Sequence, residues 1–88
     1  MITLKHDVME ILFSINRDFN GELAMLRKAD LEAKNLIEQF ERHKDTLNIE
    51  GEVEKLKILR LALQNEIKIL EWKAGIFDEL SMNAVEED

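Results

Sequence analysis

The chain has 88 residues, neither cysteine nor proline, and a formal net charge of −7. A domain of this length buries a small core, and small domains often depend on disulfides, a metal or oligomerisation. Disulfides are excluded, and two histidines make a metal site unexpected, so oligomerisation is the remaining support. No apolar run approaches the roughly 18–20 residues that cross a bilayer. No signal-peptide core is found near the N-terminus, which predicts a cytoplasmic location.

The first predicted element is a helix over residues 4–46. Large apolar residues recur at every seventh position, a spacing typical of a helix that packs against another helix. A second row, three residues after the first, completes a coiled-coil-like pattern, although Glu22 and His43 interrupt it. The first row is Leu12, Phe19, Leu26, Ala33, Phe40 and Leu47, and the second is Val8, Ile15, Ala29 and Leu36.

This helix contains one doubtful point, the Asn20-Gly21 dipeptide. Asn-Gly is a strong turn signal, and the charge of Glu22 falls on the apolar row at the same place. The heptad phase is nevertheless the same on both sides of Gly21. The first helix is therefore predicted to be either continuous or broken near Asn20-Gly21, which would give three helices in all.

A tight connection is predicted at residues 46–50. Asn48 can cap a following helix, and the acidic residues Glu50, Glu52 and Glu54 suit the positive end of that helix. Gly51 adds backbone freedom. Two antiparallel arms joined in this way form a helical hairpin.

The second predicted helix covers residues 49–80 and is apolar on two sides. One side, which should face the first helix, is Leu56, Leu63, Leu70 and Phe77, flanked by Val53, Leu59, Ile67, Ala74 and Leu80. The other side is a second stripe at helical spacing: Ile58, Leu61, Ala62, Ile69, Trp72 and Ile76. A helix with two apolar sides has to cover both of them. The second stripe could be covered by the N-terminal segment, by a second copy of the chain or by a different protein.

The candidate partner-binding residues follow from these unpartnered apolar positions. Trp72 is the single tryptophan, and this residue type is enriched at interface hot spots although it is also a common core residue. Met9 and Phe13 form a smaller apolar face on the N-terminal segment. The predicted partner-binding set is Met9, Phe13, Ile58, Leu61, Ile69, Trp72 and Ile76.

No catalytic, cofactor-binding or metal-binding residue is predicted. His6 and Glu10 share a helix face, but a zinc site would need at least one further ligand from elsewhere. Glu38 and Glu41 lie near His43, yet Phe40 stands where a Glu-x-x-His motif needs glutamate. The sequence has no nucleophile motif and no glycine-rich phosphate loop. The protein is therefore not expected to be an enzyme.

The sequence thus predicts an all-α antiparallel helical hairpin over residues 1–80, followed by an acidic polar tail over residues 81–88. A homodimer would complete a four-helix or larger bundle. The expected function is non-catalytic protein binding by a small regulator, adaptor, inhibitor or assembly chaperone, of a kind that a phage or mobile element could encode. The alternative is an acidic mimic of nucleic acid that blocks a DNA-binding protein. Direct nucleic-acid binding is not expected, because no basic face emerges.

Overall fold

The computed structural model describes residues 1–87, except for the side chains of residues 44–47. The chain forms β1 (Ile2–Leu4), α1 (His6–Leu47), α2 (Glu50–Asn83) and β2 (Ala84–Glu86). The two helices pack against each other as a hairpin, so the predicted fold class is confirmed at this level. In the part of the chain that the structure describes, no helix is both long enough and apolar enough to cross a membrane.

Helix α1 runs unbroken through Asn20-Gly21, so the predicted alternative of a break is wrong. Gly21 does not adopt a positive φ. The conformational freedom of glycine is therefore not used at this position. The Asn20 side chain makes hydrogen bonds within α1 and to α2. Its amide donates hydrogen bonds to the Asn16 carbonyl oxygen at 2.9 Å and to the Asp78 carboxylate of α2 at 3.1 Å. The turn signal is overridden by helical and tertiary contacts.

The connection between the helices is shorter than the predicted span and consists of residues 48 and 49. Asn48 has a φ of 52°, a left-handed conformation that asparagine tolerates better than most residues. The Ile49 carbonyl oxygen accepts a hydrogen bond from the Val53 amide at 3.0 Å, which places Ile49 at the N-cap of α2. Asn48 therefore reverses the chain after α1, and the capping position predicted for it belongs to Ile49.

The chain divides into two compact units. The first comprises residues 1–24 and 69–88, and the second comprises residues 25–68. In the first unit, Leu23 of α1 and Leu70 and Ala74 of α2 are buried. The rings of Phe19 and Phe77 lie beside them with centroids 5.3 Å apart.

In the second unit, Ile37 of α1 and Val53 and Ile67 of α2 are buried. Arg60 of α2 donates a hydrogen bond from Nε to the Asp30 carboxylate of α1 at 3.0 Å. Both side chains are partly buried, so this ion pair belongs to the helix–helix contact and not to the solvated surface.

The buried rows differ in phase from part of the predicted pattern. On α1, Val8, Glu22 and Leu36 are exposed although they belong to the predicted second row. Leu23 and Ile37, which directly follow Glu22 and Leu36, are buried. The buried residues of α1 therefore lie four residues after the first row, whereas Ile15 and Ala29, three residues after it, are half-buried. On α2, Leu59 is exposed, although the rest of the predicted inner side is buried or half-buried. Two predictions lie outside the described residues, namely the Leu47 side chain and Asp88.

The two terminal strands were not predicted. They pair in parallel, with Ile2 opposite Ala84, Thr3 opposite Val85 and Leu4 opposite Glu86. Helix α2 extends past the predicted end at Leu80 to Asn83, and β2 then occupies part of the predicted acidic tail. Strands of three residues are too short to show a period along the sequence.

Candidate functional site

An exposed apolar surface of the first unit lies on α2 around Trp72. Ile69, Trp72 and Ile76 are spaced by three and four residues, so they share one face of the helix. Trp72 is 68% exposed, and Ile69 and Ile76 are also exposed. The buried residues Leu70 and Ala74 point to the other side of α2, toward the core of the unit. We call the exposed surface of Ile69, Trp72 and Ile76 the Trp72 face.

The remaining predicted residues on α2 belong to the second unit and are also exposed. Ile58 is 67% exposed and Leu61 is 62% exposed. Ala62 lies beside them and is exposed as well. The packing of α2 in this unit uses Val53 and Ile67, so Ile58 and Leu61 lie outside its core.

Met9 and Phe13 line a small groove at the start of α1. The groove has a volume of about 130 Å³ and is also lined by His6, Glu10 and Glu86. Met9 is half-buried and Phe13 is exposed. The side chain of Glu86 comes from β2, so the C-terminal strand forms part of the groove wall.

A larger groove in the second unit, of about 460 Å³, has a mixed charged lining. Lys57 binds Glu41 at 3.0 Å and Glu54 at 3.6 Å. The hydrogen bond to Glu41 and its negative charge raise the pKa of Lys57, and the charge of Glu54 raises it further. Because Arg60 is paired with Asp30, two of the cations in this groove already have acidic partners. Its lining is Lys34, Ile37, Glu38, Glu41, Lys57, Arg60, Leu61 and Gln64.

The histidines of the sequence lie in different surroundings. His6 contacts Glu10 at 3.0 Å and also contacts Glu86, whereas His43 is an exposed residue of α1. Among the side chains that the structure describes, no group of three or more His, Cys, Asp or Glu residues could hold a metal ion.

Sequence reasoning missed some exposed apolar residues on α1. Ile11 is exposed in the first unit, and Met25 and Leu31 are exposed in the second. These residues belong to neither predicted apolar row of α1. An apolar residue outside both rows could have been predicted to be exposed. In the first unit, Ile11 shares a helix face with the exposed Val8, whereas Met25 and Leu31 of the second unit do not share a face with each other.

Comparison with known proteins leaves the family of the chain open. No family model matches the sequence, and no similar protein was found among the curated proteins or the solved structures.

Proposed function

We propose that the protein is a non-catalytic protein-binding protein of the cytoplasm, and that it binds through the Trp72 face. The observation that carries this proposal is the exposure of Trp72 between two exposed isoleucines on a single helix face. Its function would be that of a small regulator, adaptor, inhibitor or assembly chaperone.

The physical reason is the free energy that covering these side chains would release. Fully burying a large apolar side chain contributes about 1.5–3 kcal/mol relative to leaving it exposed. Exposed apolar residues that occur singly need no explanation, but a contiguous group marks an interaction surface. Tryptophan, which stands at the centre of this group, is one of the residue types enriched at binding hot spots.

A second copy of the chain is the partner that these observations favour first. The buried apolar residues of the first unit are Leu23, Leu70 and Ala74, which is a thin core for a domain of this size. Oligomerisation is the usual support for a core of this kind when disulfides are absent. Pairing of α2 with α2 of a second copy would bury two Trp72 faces in a symmetric interface.

The first test is the mass in solution, measured by light scattering over a wide range of concentration. We expect the wild-type chain to reach twice its 10.3 kDa and the Trp72→Glu variant to remain monomeric. Because Trp72 is the only tryptophan, its fluorescence should shift to shorter wavelength as the dimer forms and the indole leaves water.

Met25→Glu is the matched control, because Met25 is 73% exposed but lies on α1 of the other unit. This variant should dimerise like the wild type. A wild-type chain that is monomeric at every concentration would exclude the second copy as the partner. If Met25→Glu and Trp72→Glu weakened association equally, the Trp72 face would not be the binding surface.

A further inference from the structure

The two terminal strands form a sheet that is weak by itself. β1 and β2 have three residues each and pair in parallel. The amide of Glu87 extends the pairing by donating a hydrogen bond to the Leu4 carbonyl oxygen at 2.7 Å. Parallel pairs are less stable per residue than antiparallel ones and usually have both faces covered. Here Ile2 and Val85 are exposed, so the pairing needs support from elsewhere.

His6 supplies that support from the first residue of α1. Its Nδ1 contacts the carboxylate of Glu86 on β2, and its Nε2 contacts the carboxylate of Glu10 on α1 at 3.0 Å. A neutral imidazole has one N–H donor and one acceptor nitrogen, and only the protonated ring can donate from both. Contacts of both ring nitrogens with carboxylate oxygens therefore favour the charged form of His6.

We propose that His6 is a proton-dependent latch that holds β2 against β1, and that loss of its proton releases β2. On release, the Glu86 side chain leaves the wall of the groove that Met9 and Phe13 line. The apolar side chains of this groove then become more accessible. The latch is independent of the Trp72 face and of the proposed self-association.

The electrostatics of the cluster set the direction of the pH dependence. The hydrogen bond with Glu86 raises the pKa of His6 above 6.5, and the charges of Glu86 and Glu10 raise it further. The β1 segment Ile2–Leu4 brings no titratable side chain. A raised histidine pKa adds stability that is fully present below pH 6.5 and is lost as the pH rises through the raised value. The latch is therefore closed at pH values below 6.5 and opens as the pH rises through the raised pKa of His6.

Hydrogen exchange of the Glu87 amide tests the latch directly, because this amide bonds across the two strands. Its exchange rate is measured by NMR between about pH 6 and about pH 8.5 and divided by the intrinsic rate at the same pH. We expect the protection of this amide to fall by at least about three-fold over this range. The buried core amides of Leu70 and Ala74 should keep their protection.

Variants separate the latch from a general effect of pH. His6→Gln, which cannot become charged, should have low protection of the Glu87 amide at every pH. His6→Lys keeps a positive charge and should retain protection at the alkaline end. His43→Gln removes the other histidine, which is exposed on α1, and should behave like the wild type. Protection that is independent of pH in the wild type, or equally dependent on pH in His6→Gln, would overturn the proposal.

Discussion

At the residue scale, two neighbours of similar chemistry on α1, Leu36 and Ile37, differ in burial. Leu36 is 42% exposed, whereas Ile37 is 7% exposed. The sequence could not distinguish them, because rows three or four residues after Phe19 and Ala33 both fit a heptad pattern. The half-buried Asn16 and Asp30 lie at the same heptad position as Leu23 and Ile37, and they make that row look polar. Asp30 is accommodated there because Arg60 of α2 pairs with it.

Replacing Leu36 or Ile37 by alanine tests which of the two side chains packs against α2. We expect Ile37→Ala to lower the free energy of unfolding by about 2–4 kcal/mol, because it leaves a cavity among packed side chains. Leu36→Ala should lower it by less than about 1 kcal/mol, because much of the leucine is already in water. Urea unfolding, followed by circular dichroism, gives both values. If Leu36→Ala lowered the free energy of unfolding more than Ile37→Ala, then Leu36 and not Ile37 would pack against α2.

At the scale of elements, the hairpin could be predicted because its signals are strong and local. Glutamates at the start of α2 and the left-handed Asn48 mark the connection within a few residues of the predicted span. The continuity of α1 was less predictable, since the Asn20-Gly21 signal competes with contacts that only the folded chain makes. One of these contacts is the hydrogen bond from Asn20 to Asp78, 58 residues away. The terminal strands join residues 82 positions apart, which no local pattern reveals.

Glycine in the middle of α1 gives a test of its continuity. A Cβ added at Gly21 would meet no atom within 4 Å, and its φ is not positive. Gly21→Ala should therefore raise the free energy of unfolding by about 0.5–1 kcal/mol, through lower flexibility of the unfolded chain and better helix propensity.

An alanine substitution at Asn48, where the chain reverses between the helices, should change the free energy of unfolding in the opposite direction. Asn48→Ala places alanine at a φ of 52° and should lower stability by about 1 kcal/mol. Thermal unfolding of the wild type and both variants compares the two positions. If Gly21→Ala destabilised the protein as Asn48→Ala does, the chain would turn at Gly21.

At the scale of the whole molecule, the sequence predicted a second apolar stripe on α2 but not what covers it. The α2 residues Ile58, Leu61, Ile69, Trp72 and Ile76 form a stripe by spacing alone, and each of them is exposed in its own unit. Spacing identifies a face, whereas the choice of a partner depends on the shape and charge of a second surface. The His6 contacts with Glu86 were also missed, because their partners lie 80 residues apart.

The net charge of −7 provides a test between apolar self-association and the acidic-mimic alternative. Two copies of like charge repel each other, and salt screens that repulsion over a Debye length of about 10 Å at 0.1 M. Dimerisation through the Trp72 face should therefore be unchanged or become a few-fold tighter between about 0.05 M and about 0.5 M salt. A mimic of nucleic acid would bind a cationic partner with an affinity that falls steeply over the same range. Sedimentation equilibrium measures the dimer, and binding to polylysine is the control for purely ionic contact. Dimerisation that weakens with salt as the polylysine complex does would assign the interface to ion pairs and contradict the apolar face.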